Sequence, residues 1–168
     1  MSRLDIKKNV EVDTNASAAW DIIGPKFIHI SNWARGVSKS WDDDSVHKDF
    51  ENAPTGGRHC EVSGFGRFDE KITHFDGNKH EITWEATGEK IPKFIHGLHN
   101  EIKVEELDEK HCRIVSNISA DLSGVVGFLL GFFVKMNFSK TLDGFLEDWK
   151  VYAETGHVSE TKKKEMTG

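Results

Sequence analysis

Between Gly56 and Glu105 apolar and polar residues alternate in runs separated by turn residues, the two-residue period of half-buried strands. Residues 58–63, 67–75, 81–87 and 98–107 are the predicted strands. Gly64-Phe65-Gly66, Asp76-Gly77-Asn78 and residues 88–92 are the connections, since glycine, asparagine and aspartate tolerate turn backbone. A further run, residues 112–120, would turn Cys112, Ile114, Ser116, Ile118 and Ala120 to one side. Upstream, Leu4, Ile6, Val10 and Val12 predict a first strand, and residues 37–41 a weak one. Between these two, Asn15 or Thr14 can cap a short helix carrying Ala18, Ala19, Trp20, Ile22 and Ile23. Gly24-Pro25 ends it, and residues 26–33 predict a second short helix.

After Ser123 the period changes. Val126, Leu130, Phe133, Asn137, Thr141, Phe145, Trp149 and Tyr152 recur every three or four residues, one stripe of a long helix. Gly127 and Gly131 weaken its first turns, so a later start or a bend is expected there. The order is strand, two short helices, about six strands, long helix. Short turns make the strands antiparallel, and a curved antiparallel sheet needs one face covered. The fold class is therefore α+β: six to seven curved strands around a long C-terminal helix, with two short helices after the first strand. One helix cannot fill the concave side of so many strands, so a cavity is expected. Residues 1–156 form a single domain. Residues 157–168 are rich in Ser, Thr, Lys and Glu and predict a disordered polar tail.

Composition narrows the partners. The chain has 168 residues, 30% of them charged, and a net charge of -6, which argues against a nucleic-acid or anionic-membrane partner held by bulk electrostatics. The start is polar and alternating, unlike a secretory signal, and two cysteines, Cys60 and Cys112, suggest a reducing compartment such as the cytoplasm. The most apolar run, VVGFLLGFFV, begins at Val125 and ends at Val134 and is too short to span a bilayer. It is either a buried segment closing one end of the cavity or an exposed lip that docks transiently on a membrane or a partner.

Glu70 is the main candidate for chemistry. It occupies an alternation position shared with Phe68, Ile72 and His74, so an acid faces the apolar side of its strand. Burial there disfavours a charged carboxylate. Three roles are open: a hydrogen-bond anchor for a ligand, a structural carboxylate paired with an internal cation, or a general acid or base. Arg58 alternates with Cys60 and Val62 and is the candidate cation. His74 reads as a rim histidine. His96 and His99, three apart on an extended segment, point to opposite faces, so no metal and no cofactor is expected. Asn137 interrupts the helix stripe and is either a polar ligand anchor or a group satisfied by water or backbone; Asn100 is a weaker case of the same kind. No nucleophile constellation or phosphate-binding glycine loop appears.

The motifs VEVDTNASAAW, GGRHCEVSG, FDEKITHFDGNKHEITWEATGE and FVKMNFSKTLDGFLEDWK, in that order, resemble the START-like, or Bet v 1-like, helix-grip superfamily, and more narrowly its polyketide cyclase/dehydrase group. The resemblance covers about residues 5–155. Comparison with the plant hormone receptors of the superfamily implies cavity-facing positions at Val62, Glu70, Trp84, Ala86, Leu129, Phe133 and Asn137, to which Ile72 and Leu130 add contact area. The receptors' gate and latch loops are not matched by SGFGR and GEKIPKF. The resemblance implies a carrier or sensor of a small hydrophobic molecule: a lipid, sterol-like, polyketide or aromatic compound. The alternatives are a cyclase or dehydratase using Glu70, and an interaction module with a filled interior. Oligomeric state is not legible.

Overall fold

The computed structural model describes residues 2–168. Seven strands form one antiparallel sheet: β1 (Ser2–Val12), β2 (Val37–Asp42), β3 (Gly57–Val62), β4 (Gly66–Asp76), β5 (Glu81–Gly88), β6 (Ile95–Asp108) and β7 (His111–Leu122). Their order across the sheet is β1-β7-β6-β5-β4-β3-β2. From β2 to β7 each strand pairs with the next, as short turns dictate, and β1 closes onto β7. The inner set predicted for β7, Cys112 to Ala120 by twos, is buried throughout.

Helix α1 (Ala16–Ile23) starts where Asn15 accepts a hydrogen bond from the Ala18 N–H at 2.8 Å. The expected second short helix is a 3-10 turn, Phe27–Asn32, kinked at His29. Helix α2 (Gly124–Thr155) then crosses the sheet and packs chiefly on β1. Leu142, Leu146 and Trp149 bury against the core, and the Trp149 indole donates to the Ala19 carbonyl at 3.1 Å. This ties α1, α2 and the sheet into one hydrophobic core.

One expectation about α2 is corrected, and one alternative left open is decided. The helix begins at Gly124 and runs unbroken through Gly127 and Gly131. A Cβ at Gly127 would sit 3.1 Å from the Leu122 carbonyl carbon, and one at Gly131 3.4 Å from Leu122 Cδ1. The glycines thus let the helix lie close on the end of β7. Second, the run from Val125 to Val134 is not a buried plug. Its large side chains are mostly exposed, because the two glycines, not the bulky residues, face the sheet.

The tail is ordered, against the expectation of disorder. Helix α3 (Glu160–Thr167) is capped by Ser159, whose Oγ also donates to Asp148 at 2.6 Å. Lys162 is 3% exposed, and its Nζ donates to the Val37 carbonyl at 2.6 Å. Glu165 accepts the Gly36 N–H at 2.8 Å. Composition alone reads these side chains as solvated. Their spacing lets them bond the free backbone beside the edge strand β2 instead.

Candidate functional site

Strands β3 to β7 and α2 enclose a cavity of about 280 Å³, at the small end of ligand sites (~300–1,000 Å³). The interior is therefore not filled by side chains. The sheet register builds its wall. Glu70 stands opposite Ala86, and Ala86 opposite Leu98; on the next row Asn100 stands opposite Ile118. Val62 and Phe68 extend the wall, and Val134, Phe138 and Thr141 of α2 face it. Phe65 of the β3–β4 turn and Ile91 and Pro92 of the β5–β6 loop complete the rim. The lining is apolar except for Glu70, Asn100, Asn137 and Thr141.

The cross-strand partner of Glu70 on β3 is Arg58, which is 1% exposed. Arg58 Nε donates to Glu70 Oε2 at 2.5 Å, and an Nη1 hydrogen bond reaches the Phe27 carbonyl. The guanidinium lies over the Phe27 ring, 3.7 Å from its centroid. The other carboxylate oxygen, Oε1, accepts the Trp84 indole N–H at 3.0 Å. An acid on the apolar face of a strand is thus explained. It satisfies a buried arginine and a buried indole while part of it, 12% of the side chain, stays exposed at the cavity wall.

Of the expected ligand contacts, Val62, Glu70, Ala86, Asn100 and Asn137 line the cavity. Asn137 is exposed at the rim, not buried. Ile72 and Trp84 are buried one layer away and do not line it. Leu129, Leu130 and Phe133 point to solvent. Their places on the wall are taken by Val134 and Phe138, which are turned well away from Leu129 and Phe133 around α2 at about 100° per residue, Leu130 standing at the edge between. Phe68, Leu98 and Ile118 were not picked out as ligand contacts, although each is two residues along its strand from, or paired with, one that was. Ile91 and Pro92 sit on a loop and carry no periodic signal.

His74 is not on the inner face. A bulge between Ile72 and His74 shifts the alternation, so Phe75 turns inward and His74 faces Glu81 at 3.4 Å. His96 Nε2 lies 2.9 Å from Ser123 Oγ, and a register break separates it from His99. Among the described residues no three metal-ligating side chains converge. Both cysteines are free and buried. Burial pushes the Cys60 thiol up to about 12, with the Glu70 carboxylate adding to the effect against Arg58. Burial likewise raises Cys112 to about 11. Neither is a nucleophile near neutral pH.

This architecture, a sheet gripping one long helix around a lined cavity, defines a helix-grip protein. The chain belongs to the polyketide cyclase / dehydrase and lipid transport family, which it matches over residues 3–154. No curated protein sequence matches it. Solved structures share its fold at low identity. The Zhui aromatase/cyclase from Streptomyces sp. R1128 is 11% identical with a TM-score of 0.66, covering 94% of this chain and 100% of that one. A norcoclaurine synthase mutant from Thalictrum flavum is 12% identical with a TM-score of 0.68, covering 90% and 94%. A START superfamily protein from Mycobacterium smegmatis is 14% identical with a TM-score of 0.58, covering 85% and 97%. These likenesses establish the fold; activity has to be argued from the site.

Proposed function

We propose that the protein binds one small, largely apolar molecule in the cavity and carries or senses it. One observation carries this reading: the wall is built of apolar side chains from five strands and α2, with a single carboxylate, Glu70, set among them. The lone pairs of Glu70 left over from Arg58 and Trp84 can accept a ligand hydroxyl. Asn100 is the nearest second polar group along the sheet, one row away. A lipid fragment, a sterol-like or polyketide-derived ring system, or an aromatic compound fits this chemistry. The free buried thiols support a reducing compartment such as the cytoplasm.

The family description and the position of Glu70 favour one alternative, a cyclase or dehydratase in which Glu70 moves protons. That role asks the carboxylate to take up and release a proton in each turnover. Both of its oxygens are engaged by Arg58 and Trp84, so every transfer would disturb the contact between β3 and β4. Binding is the simpler use of the site.

The test is native mass spectrometry of protein purified from its own host, beside an Ala86→Phe variant whose ring fills the cavity. The wild type is expected to carry a co-purifying small molecule and the variant to lose it while unfolding at the same denaturant concentration. A wild type with no bound molecule, or a variant that keeps it, sinks the proposal. Glu70→Gln then separates the two readings: a carrier changes affinity only, and an enzyme loses turnover while ligand stays bound.

A further inference from the structure

Among the described residues eleven large apolar side chains are exposed, and eight of them lie between Val125 and Met136 on α2. Phe128 is 75% exposed and Phe132 73%. At about 100° per residue, Val125, Leu129, Phe132 and Met136 form the centre of this face. Phe128 flanks it on one side and Phe133, Val126 and Leu130 on the other, giving an arc of about 200°. The opposite side is spoken for. Gly127 and Gly131 rest on Leu122, and Val134 and Phe138 line the cavity.

The width of the arc decides what can cover it. Two helices that cross bury a stripe of residues spaced three and four apart and leave the flanks wet. A second copy of this helix would therefore cover the centre and leave Phe128 and Val126 exposed. A continuous apolar phase covers the whole arc at once.

Charge points the same way. The protein is acidic overall, yet from Leu122 to Leu142 there is no Asp or Glu, while Lys135 and Lys140 are present. The β5–β6 loop lies beside the start of α2, since the Ser123 N–H donates to the Phe94 carbonyl at 2.8 Å. It adds Lys90 and Lys93, both exposed. Its one acid, Glu89, is turned to the Arg67 N–H at 3.3 Å. An apolar face with a basic rim matches the boundary between acyl chains and headgroup phosphates.

We infer that the first three turns of α2 dock the protein on a phospholipid bilayer, with the apolar arc immersed and Lys90, Lys93, Lys135 and Lys140 at the phosphates. The helix lies in the surface and does not cross. By length and composition α2 could span a membrane. Its second half, however, is fixed to α1 by Trp149 and to Arg35 by Asp148. Docking does not require an occupied cavity, so it stands apart from the ligand-binding proposal.

The experiment is flotation of the full chain with phosphatidylcholine vesicles and with phosphatidylcholine–phosphatidylserine vesicles. The chain is expected to float with both, and more strongly with the anionic ones. The double variant Phe128→Ser, Phe132→Ser removes two exposed side chains that touch little of the protein. It is expected to lower partitioning on the order of tenfold or more, with no change in unfolding midpoint or in cavity ligand. Replacing Lys93 and Lys135 by Ala is expected to remove only the gain from phosphatidylserine. Three results overturn the inference: a wild type that floats with neither vesicle, a serine variant that floats as well as wild type, or a wild type that sediments as a dimer which the serine variant dissociates.

Discussion

The two halves of α2 invert the usual relation between composition and burial. The first half, from Val125 to Met136, is made almost wholly of Val, Leu, Phe and Met and stands in solvent. The second half carries Asp143, Glu147, Asp148 and Lys150, yet Leu142, Gly144, Leu146, Asp148 and Trp149 are buried. Burial follows what the rest of the fold offers. The second half meets β1, α1 and Arg35, and a buried aspartate is acceptable there because its oxygens are used. Asp148 accepts the Arg35 N–H at 2.6 Å, Arg35 Nη2 at 2.6 Å and Ser159 Oγ at 2.6 Å. The first half meets the end of β7 with Gly127 and Gly131 and the cavity with Val134. An apolar surface left unpaired on a folded domain marks an interaction, not a core.

The sharpest way to break this contrast is to remove the polar anchor from the buried half. Asp148 is 0% exposed, and Arg35 is held well above the ordinary arginine range, first by its hydrogen bonds to Asp148 and also by Glu147. Asp148→Ala leaves the Arg35 side chain with Glu147 alone, and the Arg35 amide and Ser159 without their acceptor. A loss of about 3 kcal/mol in urea unfolding is expected, along with release of α3. A change below about 0.5 kcal/mol would mean that Asp148 is not what holds this half down.

The next test moves to the first half. Gly127→Leu forces a side chain against the backbone of Leu122, where a Cβ alone would approach within 3.1 Å. About 1–3 kcal/mol of overpacking is expected, reduced by about 1 kcal/mol of helix propensity gained on leaving glycine. In the same half, the much larger change at Phe128 and Phe132 should leave stability within about 0.5 kcal/mol. If the phenylalanine variant is the more destabilised of the two, the exposed face is packed against something and the comparison fails.

The strands were legible because a two-residue period, once anchored by turns, leaves only one inner face. The inner residues of β7 and the pairing of Arg58 with Glu70 follow from that alone. The cavity wall was half legible. Val62, Glu70 and Ala86 were placed on the inner side by the family resemblance with alternation in agreement, but neither gives depth along the sheet, so Ile72 and Trp84 were placed one layer too close to the cavity. His74 was misread because a bulge is invisible to strict alternation. The helix contacts failed for another reason. Where a helix is apolar all round, periodicity carries no phase, and the residues that set the phase were the two glycines. The tail failed because composition counts lysine and serine as solvated, whereas Lys162 and Ser159 find backbone and carboxylate partners.

That tail supplies the last and smallest test, since α3 is part of what covers the buried half of α2. Burial lowers the Lys162 ammonium below its usual 10.5, against the pull of Glu165 and Asp148. A lysine whose folded value is lowered binds its proton less readily in the folded chain than in the unfolded one. Its burial therefore weighs against folding in full while both states are protonated. It is relieved as pH rises through the folded value toward 10.5. In Lys162→Met that dependence is absent. The stability of wild type relative to the variant should thus rise as the pH approaches 10.5 from below, as read from paired urea unfolding curves. A relative stability that stays flat, or falls, would show Lys162 to be solvated and α3 to be only loosely attached.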